Sequence, residues 1–375
     1  VQRNTGYNQL NLLQKFLYIP NKYIQFDLGF HFSKTSDIPR YDRLIRDDGQ
    51  GGLFYGNWFY GPQEWILINN QITLNPKSTS IFDKLKLTTA LQRFSESRNS
   101  RKLYEFNLNT RDEKLNILSL NLDLIKKINQ SSDLTYGLEF IDNKVNSFGT
   151  STDINDFTTT EIASRYPNNS SLKSFGGYFN YKNKIIDDVF FQSGVRYSFT
   201  KLQADLSHNN IYYDFPFQNT TLENGAFVGG VGLSWVRNTY NNWKFNINTA
   251  FRSPNIDDLA KVFDSEPGTV IVPNPDLKPE RSLGVEFGGY IRTKNNIEFD
   301  FSSYLTYLYN SLVRDEFTLE NGVSEIIYDG ELSQIQALQN SSKSIIYGFE
   351  FGVKTLINKN LILKSQINLT AGHEL

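Results

Sequence analysis

Cysteine and methionine are both absent from the 375 residues. The first absence removes disulfides, zinc–thiolate centres and thiol nucleophiles at once, and suits an oxidising compartment. The second accompanies an opening Val1-Gln2-Arg3 in place of an initiator, so a processed or partial chain is expected. Long apolar runs are missing too: no window approaches the ~18 residues of a membrane-crossing helix or holds a signal-peptide core. A barrel stays open, because its strands need only about ten residues with every second one apolar. A formal net charge of −2 offers no basic face, so no nucleic-acid partner is expected. HExxH, GxSxG and a nucleotide-binding glycine pattern after a strand do not occur, which removes the usual enzyme signatures. Three His without positional logic make a Ser/His/Asp set a poor reading.

What is present is aromatic and alternating. The 29 Phe and 21 Tyr are spread thinly through segments of period two. Ile24, Phe26, Leu28, Phe30 and Phe32 lie opposite Gln25, Asp27, Gly29 and His31. Trp243, Phe245, Ile247 and Phe251 lie opposite Lys244, Asn246, Asn248 and Arg252, and the same split recurs at 297–301 and 345–354. Short polar turns near 20, 76, 130, 187, 240, 295 and 359 alternate with longer segments near 37–57, 96–113, 148–171, 205–224, 254–279 and 318–343.

Short turns at one end and long loops at the other describe an all-β, antiparallel up-and-down meander of about 14 strands. An open sheet of that size leaves unpaired edges, whereas closure into a transmembrane barrel satisfies every backbone group. The greasy face then meets lipid. Tyr18, Trp58, Trp235, Tyr240 and Trp243 are expected in interfacial girdles. A soluble double-layer sandwich, adhesin-like, is the alternative that also alternates; strand length and a partner face rich in Lys, Glu, Asn and Gln speak against it. The whole chain, 1–375, reads as one barrel domain.

One proline-rich stretch interrupts the pattern. "FRSP" at 251–254, an acidic loop, and "NPDLKPERS" at 274–282 leading into "LGVEFGGYIR" resemble the loop and following strand of TonB-dependent outer-membrane receptors. "TSDIPRYDRL" at 35–44 and "ALQRFSESRNSRK" at 90–102 are similar to Bacteroidetes-type members, nearest to haem/haemoglobin-receptor-like ones. The resemblance runs from about residue 5 to the end. It implies a plugged barrel of about 22 strands, with the plug, first strands and closing strands outside this chain. A barrel complete in about 14 strands is the alternative.

The resemblance also implies a function: active import of a scarce nutrient, first an iron chelate (siderophore or haem), then an oligosaccharide, peptide or cobalamin. No chemistry is done on the cargo and no cofactor is expected. The implied partners are an inner-membrane TonB energising complex acting through the plug, outer-membrane lipid and a surface lipoprotein; the implied place is the bacterial outer membrane. A passive porin or surface-binding barrel without energised transport is the rival.

Candidate site residues fall in three places. The loop with Arg40, Tyr41, Arg43 and Arg46, followed by Tyr55, Trp58, Phe59 and Tyr60, can hold a ligand by stacking and charge, or can be girdle and loop packing. Its glycines between Gly49 and Gly56 suggest a mobile tip. His208, with Tyr212 and Tyr213, is the best candidate ligand among the His; His31 is expected on the lumen side and His373 near the outer end of the last strand. In haem-type receptors a His commonly lies between the two motif boxes, but 255–273 contains none, which argues against haem ligation there. Lumen-facing Arg252 and Arg281 can take a ligand or plug carboxylate, or brace the loop. The motif residues Phe251, Arg252, Pro254, Asn274, Pro275, Leu277, Pro279 and Glu280 are expected to be structural or to face the plug. No metal site is expected.

Overall fold

The computed structural model describes residues 5–375 except 214, 217, 267, 321, 329, 341 and 342, so the opening tripeptide lies outside it. The chain runs β1 Gln9–Asn21, β2 Ile24–Thr35, β3 Ile38–Pro39, α1 Tyr41–Leu44, β4 Tyr55–Tyr60, β5 Glu64–Leu74, β6 Lys84–Lys102, β7 Asn107–Lys127 and β8 Ser132–Asp153. It continues β9 Thr159–Ile162, β10 Ser170–Ile186, β11 Val189–Asp205, α2 Asn210–Tyr213, β12 Asn219–Asn238, β13 Asn241–Arg252, α3 Ile256–Ala260, β14 Phe263–Glu266 and β15 Thr269–Ile271. The last elements are β16 Glu280–Arg292, β17 Ile297–Tyr309, β18 Leu312–Glu316, β19 Glu325–Tyr328, β20 Glu331–Asn340, β21 Lys343–Asn358 and β22 Leu361–Glu374. Among the described residues no helix is long and apolar enough to cross a membrane.

Seventeen strands share one sheet. Setting aside the short β3, β4 and β9, fourteen pair antiparallel with their chain neighbours, from β1–β2 through β2–β5 and β8–β10 to β17–β21 and β21–β22. The architecture is that of a transmembrane, antiparallel up-and-down β-barrel, and the expected strand number is met. All seven short turns fall between the paired strands as expected, at one end of the sheet.

Register keeps the two faces separate over the whole wall. Phe26, Phe30 and Phe32 stand opposite Ile72, Ile68 and Ile66. Ile72 and Ile68 stand in turn opposite Leu87 and Leu91, and those opposite Leu122 and Leu118. Because side chains alternate across a strand, this row can only face one way, and it is exposed: Leu91, Leu120, Leu138, Phe175 and Leu233 all lie open. Tyr18, Trp235 and Tyr240 are exposed at the short-turn end, where a girdle belongs. Trp58 is different. It lies on β4 at the far end, in register with Ser100, and packs against Tyr60 and Arg40, so it does not belong to the girdle.

Two further expectations are corrected. Residues 96–113 are not a long loop: β6 and β7 run through them and turn at 103–106. Ser97 and Asn99 are buried, with Asn99 in register with Phe59 of β4 and the Ser97 hydroxyl donating to the Gly61 carbonyl, so ladder pairing with β4 continues β6 through this polar stretch. Arg281 is not on the lumen side, since it registers with Phe251 and Tyr309, while Arg252 registers with Glu280.

The core sits outside the bilayer. β14, β15, β18, β19 and β20 form a second, five-stranded sheet from two different loops, joined by a parallel ladder of Thr269–Ile271 on residues 334–336. Val262, Val270, Val272, Leu319, Ile335 and Ala337 are buried in it with Phe215 and Tyr328. A second cluster, Leu202, Ala204, Ile256, Leu259, Ala260 and Leu277, joins this cap to the rim of the sheet. The long loops are therefore a folded layer over the outer mouth.

Candidate functional site: the outer mouth

Beneath the cap, the inner face at the outer ends of β4, β6 and β7 carries an arc of charge and aromatic rings. Arg40 lies 5.5 Å from the Trp58 ring centre and 5.0 Å from that of Tyr60, Arg43 lies 5.8 Å from Trp58, and Arg98 lies 5.1 Å from Tyr60. Trp58 and Tyr60 meet edge to face at 5.1 Å. The column stacks because Trp58 and Tyr60 are two apart on one strand and register with Ser100 and Arg98.

Arg40 is already engaged. Its Nε and Nη2 donate to the Asp42 carboxylate at 2.8 and 2.6 Å, and its Nη1 donates to the Tyr60 hydroxyl. That hydrogen bond from Arg40 holds the Asp42 carboxyl below its ordinary range. Arg46 stacks on Phe54 at 4.4 Å and bridges to Glu331 at 3.6 Å, so the first loop reaches the cap. Tyr41 is exposed and Tyr55 packs edge to face on Phe54, both off the column. Gly49 and Gly51 take positive φ at the tip, as only glycine does at little cost.

Sequence reasoning passed over the far side of the arc. Glu96 and Arg98 pair at 3.4 Å. Glu113, opposite Glu96 in register, is 7% exposed, and among the described residues neither carboxyl oxygen has a hydrogen-bond partner. It borders a cavity of about 360 Å³ walled by Phe94, Leu115, Ile117, Leu172 and Ile256. Across that cavity, the Tyr166 hydroxyl donates to Asp257 at 2.5 Å and Lys261 bridges the same carboxylate at 2.9 Å. Burial works to raise the Asp257 pKa, but the bonds from Tyr166 and Lys261 outweigh it and hold it below the usual range. Burial pushes the Tyr166 phenol up and the Lys261 ammonium down. Lys261 lies 4.0 Å above the Phe263 ring, with Arg165 at 5.5 Å and Arg314 at 5.7 Å. The signal for these groups was the inward parity of 96, 98, 111 and 113, hidden by reading that stretch as loop.

The proline-rich motif fastens the cap. Arg252 donates to Asp258 at 2.6 Å and to Glu280 at 2.7 Å. Asp258 also closes a capping box with Asn255 that starts α3. Glu280 accepts the Leu312 amide at 2.8 Å, and Asn274 donates to the Leu338 carbonyl at 2.8 Å. Asn340 accepts the Lys278 amide at 2.7 Å. Pro254 and Leu277 are buried. Phe251 lies on the outer face opposite Arg281. Pro275 and Pro279 flank the stretch between Asn274 and Glu280, where β15 has ended and β16 has not begun, so their missing N–H groups leave no ladder position unpaired.

His208 touches the Tyr212 ring at 5.9 Å, and Tyr213 stacks on Tyr328 in the cap at 5.9 Å. Tyr328 also lies 5.6 Å from Arg111, which registers with Arg98, so Tyr213 reaches the arc through the cap. His31 packs 4.6 Å from Trp65, and His373 lies near Tyr347 on the last strand pair. Among the described residues no group of three His, Cys, Asp or Glu is arranged to hold a metal ion.

Comparison with known proteins agrees with the barrel architecture. The model of the TonB-dependent receptor-like β-barrel matches residues 4–372. Among solved structures, the chain is similar to the copper transporter OprC (TM-score 0.75, 11% identity, 98% of this chain and 53% of that one). It is also similar to the ferric yersiniabactin uptake receptor FyuA from Yersinia pestis (0.64, 12%, 99% and 53%). A third is the Serratia marcescens hemophore receptor HasR in complex with its hemophore HasA and heme (0.66, 13%, 98% and 54%). The chain spans about half the length of these structures. No curated protein matches it. The chain belongs to the TonB-dependent receptor β-barrel family, whose barrels reside in the Gram-negative outer membrane.

Proposed function

We propose that this barrel is the outer-membrane part of an energised importer of a scarce nutrient, with an iron chelate, siderophore or haem, as first candidate cargo. The observation that carries the reading is the outer mouth: a folded cap over an inward arc of Arg, Glu and aromatic groups, fastened by the family motif. Such an arc offers stacking faces and paired charges to a large, polar, partly aromatic ligand. Arg43, Trp58, Tyr60 and Arg98 are the groups we expect to touch it, with Tyr41, Tyr55, His208 and Tyr212 on the approach. Arg252 and Tyr213 act by holding the mouth in shape. FyuA takes ferric yersiniabactin and HasR is seen with heme and a hemophore, which supports iron cargo and a protein partner at the outer face. Energy comes from an inner-membrane TonB complex acting through a segment beyond these residues.

Growth of a deletion strain on defined iron and vitamin sources tests this. Loss on one source, restored by the intact gene and abolished by an uncoupler, assigns cargo and energised uptake together. Uptake that survives the uncoupler means a passive pore and sinks the proposal.

A further inference from the structure

The outward face of the wall changes character within one rung of its ladders. Leu120, Phe140, Phe175 and Phe199 register side by side across β7, β8, β10 and β11 as part of the apolar band. Two residues nearer the cap the same strands carry Leu118, Asp142, Lys173 and Lys201. Two residues beyond that, β6, β7 and β8 carry Arg93, Asn116 and Lys144. Side-chain parity sets all of them on the lipid side of the wall, away from the lumen. A pocket of about 360 Å³ sits on this boundary. Ile66, Ile68, Leu91 and Leu118 form its apolar side, and Arg93 and Lys144 stand on its cap side with Asn116 between them in register. Asp142 also borders it and is opposite Lys173. Three strand spacings separate Arg93 on β6 from Lys173 on β10, so the cations are spread over about 14 Å.

Charge on this rim is only partly cancelled. Lys34 is held by Glu64 at 3.1 Å and Lys201 by Glu223 at 2.7 Å. That leaves Arg93, Lys114, Lys144 and Lys173 against Asp112 and Asp142 on the same outward face. Among the described residues, none of these six side chains makes an ion pair or hydrogen bond within the protein, and neither does that of Asn116. One oxygen of Asp142 is nevertheless buried. A basic fringe alone would serve any anionic lipid beside the wall. Here separated cations meet an unbonded amide and a buried, unbonded carboxylate oxygen over an apolar floor. Such a pocket fits a lipid with anionic groups several Å apart, with hydroxyl or amide N–H donors between them, and with more than one acyl chain.

We infer that this pocket is a lipid site on the outside of the barrel for the phosphorylated glycolipid of the outer leaflet. Phosphates lie on Arg93, Lys144 and Lys173, sugar hydroxyl or amide groups on Asn116 and Asp142, and acyl chains over Ile68, Leu91 and Leu118. A plug in the lumen does not reach it, because it is on the opposite side of the wall. The inference uses the outer-membrane location alone and holds whatever the cargo is.

The test uses the purified full-length receptor in detergent, washed free of lipid, with three probes: bisphosphorylated lipid A, the same lipid with both phosphates removed, and phosphatidylglycerol. Bound lipid is counted by native mass spectrometry during a titration. Bisphosphorylated lipid A is expected to bind more tightly than either of the others. Arg93→Gln/Lys144→Gln should weaken it about tenfold or more, with unchanged melting. Arg281→Gln/Lys343→Gln removes two cations from the same outward face over β16 and β21, where both register with Tyr309, and should leave binding unchanged. Should the first double variant not fold, Arg93→Gln and Lys144→Gln singly read the same loss in smaller steps. Equal binding of lipid A by the natural protein and the Arg93/Lys144 variant, or equal loss in both double variants, would mean annular lipid only and overturn the site. Equal binding of the dephosphorylated lipid, or tighter binding of phosphatidylglycerol, would overturn it as well.

Discussion

Arg252, the last residue of β13, and Glu280, the first of β16, stand opposite each other in register and are joined at 2.7 Å. The loop between them leaves and rejoins the wall through one ion pair, and Asp258 on α3 shares the same guanidinium at 2.6 Å. Both pairs are partly exposed, so each contributes only ~0–1 kcal/mol. Arg252→Ala should lower the melting temperature by a few degrees at most and speed proteolysis within 253–279, with uptake retained. Normal stability with lost uptake would instead make Arg252 a ligand contact.

The cap should unfold apart from the wall. Ile335 is fully buried between its ladders, and Ile335→Ala removes about 2–5 kcal/mol of packing. Hydrogen exchange is expected to rise in 263–272 and 313–339 while β6 to β8 stay protected. A uniform rise over the whole sheet would mean that cap and wall unfold as one.

Facing direction can be read from paired substitutions on one strand. Leu120 is on the exposed apolar row, and its neighbour Ser119 points the other way, in register with Ala90 and Ile141. Leu120→Arg should cost about 2–4 kcal/mol in a bilayer, whereas Ser119→Arg should stay within ~0.5 kcal/mol. Equal costs would reject the assignment of faces.

Asp42 gives the first loop a pH dependence. Its carboxyl is held below the ordinary value in the folded loop by the hydrogen bond from Arg40, so ionisation stabilises the loop above the unfolded carboxylate pKa. That contribution disappears as pH falls through the lower folded value, in a window below about pH 4. Asp42→Asn should therefore loosen 40–60 at pH 7, seen as faster hydrogen exchange there. The difference should begin to shrink below about pH 4 and vanish only once pH is below the lower folded value; a difference that does not shrink at all as pH falls would rule out the carboxylate as cause.

The wall was legible because its signal is local. Alternation at 24–32 and 243–252 states which side chains share a face, and polar turns mark where strands reverse. The cap was not legible, because its ladder joins Thr269–Ile271 to residues more than sixty positions away, and nothing in either segment names the other. The mouth was half legible. Trp58 and Tyr60 advertise a stacking surface, but Arg40 spends its donors on Asp42, two residues along, a competition that sequence spacing does not reveal. Glu113 was missed for a different reason: polar residues at 96–113 read as loop, whereas ladders to β4 and between β6 and β7 carry the strands through them.

The parallel ladder of the cap also imposes an order of events. Segments 269–271 and 334–336 belong to loops carried by two different strand pairs, β13 with β16 and β17 with β21. Each must cross to the far side of the bilayer unpaired, and they can meet only when all four strands are seated side by side. Until then Val270 and Ile335 remain in water. A folded cap is therefore a late product of insertion, and its protection from exchange reports that this part of the wall has been completed.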